Sequence, residues 1–348
     1  MALKWWDAFD SYGATADLLK NWRSNTNTAW TWDATSGRLS GGCIKTTTTA
    51  GVLYAPRSTL SVTSGTNMSF SGWFKITATP SATLQFVSLA STGDAQNGCL
   101  GLATTGVLGL YNAGMSLLQA STSGNVCDGN WHWVDALFGV GSTSGAIWLD
   151  GVAVAGPITL NFGIAGTTID SIYLSSAAQG NYIWDDIYVT DTNTPSPRVA
   201  DFPIGPRQMN TLRAASDSAV QFAPNSGANN FSRINETAAD DDTSYNQDNT
   251  SGHADEFNYG ALGFTPTTIN AVGVTTRVKN PGTTASVSWK TRCRSGATVS
   301  DSAANAALVS WSTIGDLNAK KAYEQDPNTS AAWTAANLAS AKFGYTVA

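Results

Sequence analysis

The chain has 348 residues, a formal net charge of −6 and only 13% charged residues. This length exceeds that of one ordinary core and predicts two domains, while the scarcity of Glu and Lys, with 3 and 9 residues, disfavours a helical protein. The acidic balance gives no basic face for nucleic acid, which we exclude as a partner.

Short alternating strands separated by turn residues fill the first half of the chain. The segment NMSFSGWFKITA at 67–78 alternates well, and similar stretches follow at 83–91, 99–112, 115–121, 130–140, 144–156 and 168–176. Strands this short, about ten residues apart, predict a sandwich or jelly roll. Asp150 and Gly151 lie between two alternating runs and predict a two-residue hairpin turn.

Four prolines separate this half from the rest of the chain. They are Pro195, Pro197, Pro203 and Pro206. Proline removes ladder donors and holds a chain extended, so this stretch predicts a connecting segment. We expect a first domain at 1–195, a linker at 196–206 and a second domain at 207–348.

The second half begins with polar, irregular sequence and then returns to strands. Alternation at 267–280 and 285–296 predicts two strands joined by the turn NPGTT. Near the end, Thr334 can cap a helix that Gly344 would terminate. The expected fold class is all-β: a β-sandwich of jelly-roll type, followed by a smaller β-rich domain with a C-terminal helix.

Several motifs resemble known families. FDSYG, SFSGWFK, GNWHWVD, LDGVAV and YIWDDIYVTD occur in an order similar to that of concanavalin A-like, laminin-G-like jelly-roll domains. In the second half, INETAADDDTSYNQ, INAVGVTTRVKNPGTTASVSWKTRCRSG and YEQDPNTSAAWTAANLASAKFG resemble the C-terminal region of structural proteins from tailed-phage particles. This resemblance implies a virion component, such as a tail, fibre or capsid decoration protein, that forms a homo-oligomer.

The neighbouring Asp185 and Asp186 are the first candidates for acid–base chemistry. Successive residues of a regular strand point to opposite faces, so we expect these two carboxylates to diverge and to serve the fold. Glycosidases of the jelly-roll family carry an E-x-D-x-x-E strand, whereas this chain has no Glu before Glu236. We therefore expect no catalytic residues and no enzyme.

An acidic run in the second half is the best metal candidate. Asp240, Asp241, Asp242 and Asp248 supply the oxygen ligands that calcium prefers. The alternative is a solvated acidic loop. We expect no cofactor, with calcium at these four residues as the competing hypothesis.

Tryptophans raise the question of carbohydrate binding. Trp30 and Trp32 lie in a polar, loop-like setting and are candidate stacking platforms for a sugar. Trp131 and Trp133 share one face of a strand and are expected in the core.

These observations favour a non-enzymatic structural protein of a tailed-phage particle that acts by subunit packing and surface display, with weak adhesion to host-surface glycan. The alternative is a carbohydrate-binding or glycan-depolymerising protein. Other virion proteins are the expected partners. The N-terminus lacks the features of a signal peptide and no stretch is long enough to span a bilayer. We thus expect synthesis in the host cytoplasm, no membrane insertion and localisation to the virion.

Overall fold

The computed structural model of the chain is nearly all β, which confirms the predicted fold class. It describes residues 2–47, 49–55, 62, 66–91, 95–140, 144–159, 168–176, 182–191, 202–280, 288–306 and 320–348. The chain divides into two compact units, Met1–Met209 and Asn210–Ala348. None of the helices in these ranges combines the length and the apolar character that crossing a bilayer requires.

Antiparallel strands build the first unit. In chain order they are β1 (Ala2–Asp7), β2 (Ser24–Asn25), β3 (Trp30–Asp33), β4 (Cys43–Thr46), β5 (Gly51–Tyr54), β6 (Thr66–Ile76), β7 (Leu84–Ser91), β8 (Gln96–Leu102), β9 (Leu108–Tyr111), β10 (Leu117–Ala120), β11 (Trp131–Val140), β12 (Ser144–Leu149), β13 (Val152–Thr159), β14 (Ile169–Ser176) and β15 (Tyr182–Asp191). Two short 3-10 helices occupy Thr15–Lys20 and Thr26–Thr28.

Two sheets face each other across one core. The eight-stranded sheet has the order β13–β12–β11–β6–β15–β4–β3, with β1 also paired to β15. The seven-stranded sheet has the order β10–β9–β8–β7–β14–β5–β2. Phe74 and Trp184 from the first sheet meet Phe86 from the second, with ring centroids 5.3 and 4.5 Å from that of Phe86. Burial of these aromatic rings is the main source of stability for such a sandwich.

The alternation predicted at 67–78 decides which side of the eight-stranded sheet faces this core. Met68, Phe70 and Phe74 of β6 lie in the core. Residues between them, such as Trp73, belong to the opposite side, which we call the outer face.

The predicted Asp150–Gly151 hairpin is confirmed. Leu149 of β12 pairs with Val152 of β13. Asp150 and Gly151 have φ values of 51° and 84°, the left-handed conformation that a tight two-residue turn demands at both positions.

The second unit is smaller and also β-rich. Its strands are β16 (Ala214–Ala219), β17 (Ala223–Pro224), β18 (Asn246–Gln247), β19 (Ala254–Tyr259), β20 (Val272–Thr275), β21 (Ser288–Ser295), β22 (Thr298–Asp301), β23 (Asn305–Ala306), β24 (Lys320–Tyr323) and β25 (Lys342–Val347). A 3-10 helix spans Phe231–Arg233, and the α-helix α1 spans Ala335–Ser340. The main sheet has the order β16–β19–β25–β21–β22, with β23 paired to β21.

The C-terminal helix is confirmed, but its end differs from the prediction. Thr334 Oγ1 accepts a hydrogen bond from the Asn337 backbone N–H at 3.0 Å, as a cap should. The helix stops at Ser340, and Gly344 lies inside β25. A Cβ atom at Gly344 would stand 1.9 Å from the Asp255 carbonyl oxygen, so this glycine allows close strand pairing and does not end a helix.

The two strands predicted around the turn NPGTT are present but are not partners. β20 pairs with β24, whereas β21 pairs with β22, β23 and β25. Residues 281–287 between them lie outside the described residues. Alternation located the strands, but it could not identify their partners.

The end of the first unit lies further along the chain than residue 195. Residues 196–201 of the predicted linker lie outside the described residues. Residues Phe202–Met209, which we call the strap, belong to the first unit. Ile204 of the strap is buried against Trp133 and Tyr188, so this segment packs on the outer face.

Candidate functional site

A β-bulge in β15 places two neighbouring carboxyl groups on the outer face. The pairing of β15 with β6 shifts register between Asp185 and Tyr188, and Asp186 has a φ of 47°. Trp184 and Ile187 both lie in the core although they are three positions apart. A regular strand returns to the same side after two positions, so the bulge leaves both carboxyl groups on the opposite side.

This geometry corrects the prediction that Asp185 and Asp186 diverge. That prediction assumed an unbroken strand, and the bulge removes the alternation on which it depended. Gly72 on β6 makes room for the irregular strand, because a Cβ atom there would lie 2.5 Å from Ile187 Cγ2.

One guanidinium group lies beside the carboxyl pair. Asp185 Oδ2 accepts a hydrogen bond from the backbone N–H of Arg38 at 2.8 Å, and Arg38 Nη2 lies 3.7 Å from Asp186 Oδ2. Arg38 Cζ is 4.3 Å from the ring centroid of Trp73, within cation–π range. The loop between β3 and β4 thus holds Arg38 between an indole and two carboxyl groups.

Burial raises the pKa of both carboxyl groups. Asp185 and Asp186 are only 5% and 6% exposed, and desolvation is the largest cause of each shift. The charge of Asp185 raises the pKa of Asp186 further, and that of Asp10 acts on both. Arg38 lowers the pKa of both carboxyl groups, but this effect is smaller than the increase caused by burial and by the neighbouring acids. The pair therefore keeps a proton at a pH where exposed Asp residues are ionised.

The outer face beside the pair is aromatic and includes a third buried carboxyl group. Asp135 is 0% exposed; it accepts hydrogen bonds from Ser71 Oγ at 2.5 Å and from Trp133 Nε1 at 2.9 Å. Burial raises its pKa as well. Partly buried side chains complete the cluster around Trp133, Tyr188 and Ile204: Leu3, Trp6, Trp73 and Met209.

The tryptophans proposed as sugar platforms do not present open rings. Trp30 is 0% exposed and lies in the core. Trp32 is half-buried against that core, and its Nε1 donates a hydrogen bond to the Phe9 carbonyl oxygen at 2.8 Å. Trp133 is buried as expected, but in the cluster on the outer face and not in the sandwich core.

The acidic residues proposed as calcium ligands have separate partners. Asp241 pairs with Arg277, and Asp242 pairs with Lys279 at 2.7 Å. Asp240 accepts a hydrogen bond from Ser244 Oγ at 2.9 Å, and Asp248 contacts His253 at 2.8 Å.

The described part of the chain contains no group of three or more His, Cys, Asp or Glu residues that could hold a metal. Calcium at Asp240, Asp241, Asp242 and Asp248 stays a prediction that this geometry does not support.

Sequence reasoning missed a charged cluster at the start of β11. His132 Nδ1 lies 2.8 Å from Asp150 Oδ2, and His132 Nε2 lies 3.1 Å from Asp128 Oδ1. Burial alone would lower the pKa of His132, but the hydrogen bonds with Asp150 and Asp128 outweigh it and raise the pKa. Both aspartates precede a glycine in a turn. The two Asp-Gly pairs were therefore the feature of the sequence that could have indicated this cluster.

Comparison with known proteins gives similarity in solved structures only. No protein-family model matches the chain, and no curated protein matches it. A Trypanosoma rangeli sialidase in complex with the inhibitor DANA is 14% identical over 46% of this chain and 27% of its own, with a TM-score of 0.34. A second sialidase is 12% identical over 55% of this chain and 19% of its own, with a TM-score of 0.38. An alginate lyase from Corynebacterium sp. is 11% identical over 49% of this chain and 81% of its own, with a TM-score of 0.27.

The prediction that the chain is not an enzyme is contradicted, because the solved structures that the chain resembles include sialidases and an alginate lyase. The absence of Glu before Glu236 excludes the E-x-D-x-x-E catalytic pattern from the first unit. It does not exclude enzymes that use other catalytic residues. The chain spans about a quarter of the first sialidases it matches. At this identity and TM-score the likeness assigns no reaction and no residue role to this chain.

The raised pKa values of Asp185 and Asp186 predict that the first unit loses stability as pH rises. A carboxyl group with a higher pKa in the folded state binds more protons there than in the unfolded chain. The contribution of this group to the free energy of unfolding is complete below about pH 4 and is lost as pH rises through the pKa of the folded state. The loss is up to about 1.4 kcal/mol per pH unit for each proton. Urea unfolding between pH 5 and 9 should show this decline in the native chain and a smaller decline in Asp186→Asn.

Asp17→Asn is the matched control for this measurement. Burial alone would raise the pKa of Asp17, but hydrogen bonds from Gly13, Lys20 and Ala14 outweigh it and lower the pKa. Its charge therefore does not change between pH 5 and 9, and the control should keep the native slope. Equal slopes for the native chain and Asp186→Asn would show that the pair is ionised normally.

Proposed function

We propose that the first unit binds carbohydrate at the outer face of its eight-stranded sheet, with Asp185 and Asp186 at the centre of the site. The observation that carries this proposal is the carboxyl pair that the bulge in β15 forms beside Arg38 and Trp73. Carbohydrate sites combine aromatic rings with a few well-placed polar groups, and this face supplies both.

The proton that the pair retains suits this ligand class. A sugar hydroxyl both donates and accepts hydrogen bonds. An ionised carboxylate only accepts, whereas a protonated carboxyl group also donates. Since burial keeps a proton on Asp185 and Asp186, the pair offers both kinds of partner at neutral pH. The Arg38 guanidinium adds fixed donors next to them.

Trp73 supplies the apolar part of the proposed site. Its ring stands over β6 next to Arg38, and its Nε1 donates to the Arg207 carbonyl oxygen at 2.6 Å. The cation–π contact with Arg38 and the edge contact with Trp133, at 5.5 Å between ring centroids, fix the orientation of this indole, which lowers the entropic cost of stacking a sugar ring against it.

Binding to a glycan array, followed by calorimetry with the best ligand, tests this proposal. Asp186→Ala removes the hydrogen-bonding group and should weaken binding about tenfold, which corresponds to the loss of about 1.4 kcal/mol of hydrogen bonding. Asp128→Asn, an exposed carboxyl group in the same unit, should bind like the native chain. Sugar release measured in parallel tells whether the site also cleaves its ligand.

Absence of binding to any glycan on the array would contradict the proposal. So would equal affinity of Asp186→Ala and the native chain, because the carboxyl pair would then lie outside the binding site.

The second candidate function is a structural component of a tailed-phage virion, with other virion proteins as partners and self-association into a homo-oligomer. The three motifs of the second half that resemble phage structural proteins favour it. Both functions are compatible, since a component displayed in many copies gains avidity for host-surface glycan. Mass spectrometry of purified particles should detect the chain at a fixed stoichiometry. Its absence from particles would reject this candidate.

A further inference from the structure

The proposed carbohydrate site lies on the outer face, and a segment of the same chain covers this face. The strap, Phe202–Met209, lies across the face with Ile204 only 9% exposed among the aromatic side chains. Arg207 and Gln208 are exposed, whereas Met209 packs against the same cluster. Any ligand that reaches Asp185 and Asp186 from the outer face must meet this segment first.

Single hydrogen bonds and side-chain packing, and not strand pairing, hold the strap against the other described residues. None of its residues belongs to a strand, so no backbone ladder fixes it to the sheet. Gly205 N–H donates to Asp135 Oδ2 at 3.2 Å, and the Arg207 carbonyl oxygen accepts from Trp73 Nε1. The Met209 N–H donates to Asp186. Phe202 adds an edge contact with Trp148 at 5.1 Å between ring centroids.

Segments held in this way open at a lower free-energy cost than the strands beneath them. Strands β6, β11 and β15 are paired on both sides, with ladders of 8 to 10 residue pairs joining β6 to its two neighbours. Opening the strap breaks a handful of contacts and leaves these ladders intact. Local opening is expected where backbone hydrogen bonds and buried apolar contacts are sparse.

The strap also occupies polar groups that suit a sugar. Asp135 Oδ2 receives the Gly205 N–H, Trp73 Nε1 is bonded to Arg207, and Asp186 receives the Met209 N–H. Each of these protein groups would become free on opening. Peptide groups and sugar hydroxyls compete for such donors and acceptors with the same geometry.

We propose that the strap is a displaceable cover that competes with carbohydrate for the outer face of the eight-stranded sheet. This inference rests on the proposed function of the same site. In the closed form the strap occupies the face, and glycan binds to the open form. The measured affinity is then the intrinsic affinity reduced by the fraction of open molecules, so anything that weakens the cover tightens binding.

Two variants in the strap test the proposal with the full chain. Ile204→Ala removes the buried anchor, and Phe202→Ala removes the contact with Trp148. Either variant should increase the affinity for the best array glycan, by about tenfold for Ile204→Ala if most of its packing energy held the strap closed. Hydrogen exchange of residues 202–209 should accelerate in both variants, while exchange of β6 and β11 stays slow.

Leu174→Ala is the matched control. Leu174 is 0% exposed in the core of the same unit and lies on β14 of the opposite sheet. The substitution lowers the stability of the unit without touching the strap, so glycan affinity and strap exchange should keep their native values. A gain in affinity with this control would mean that general loosening, and not release of the strap, increases binding.

The outcomes separate the two proposals. If the native chain binds glycan and both strap variants bind it equally or more weakly, the strap is a fixed part of the fold and the inference is wrong, while the proposed function stands. If neither the native chain nor the variants bind any glycan, the proposed function fails and the strap inference fails with it. Faster strap exchange together with tighter binding in both variants supports the inference.

Discussion

Two buried carboxyl groups with the Arg38 guanidinium beside them are the physical constraint on which the arrangement of the outer face of the first unit depends. Asp185 and Asp186 share Arg38, and Asp10 adds further negative charge. Burial of an unbalanced charge is costly, so the pair binds a proton and remains partly neutral. The bulge in β15, the loop that carries Arg38 and the backbone N–H of Met209 all converge on this one place. A feature with this cost is more readily explained by function than by stability.

Other buried aspartates of the chain show what a purely structural carboxyl group looks like. Asp7 accepts hydrogen bonds from four groups, at 2.5 to 2.8 Å: the Phe9 N–H, Tyr12, Asn21 and Trp22.

Asp255 of the second unit is fully buried and accepts hydrogen bonds from the Gln221 and Phe222 N–H groups at 2.7 and 2.9 Å. Such neutral donors compensate a buried carboxyl group for the hydrogen bonds that it loses with water. Each of these groups joins segments that are distant in sequence, which is a role in folding.

The sequence predicted most of the fold and little of the site. Alternation and turn chemistry located the sandwich strands, the Asp150–Gly151 hairpin and the Thr334 cap, because each depends on neighbours in sequence. The bulge at Asp186 depends on β6, where Gly72 leaves space for Ile187, and no local pattern reveals it. Proline content suggested a linker, but Ile204 packs against Trp133 and Tyr188 on the outer face. These aromatic residues belong to strands that are distant in sequence from Ile204, so no local pattern predicts the contact. The choice of Trp30 failed for the same reason: a polar neighbourhood in sequence can lie next to the core in space.

The carboxyl pair can be observed directly by following carbon-13 shifts of aspartate carboxyl groups through a pH titration, with Asp185→Asn and Asp186→Asn used for assignment. A buried pair of neighbouring carboxyl groups should give two coupled titrations, at least one of them well above the usual value of about 3.9 for aspartate, and a fall in the pKa of the remaining group when its neighbour is replaced. Two independent titrations at about 3.9 would contradict the raised pKa values, because the groups would then be apart and open to water.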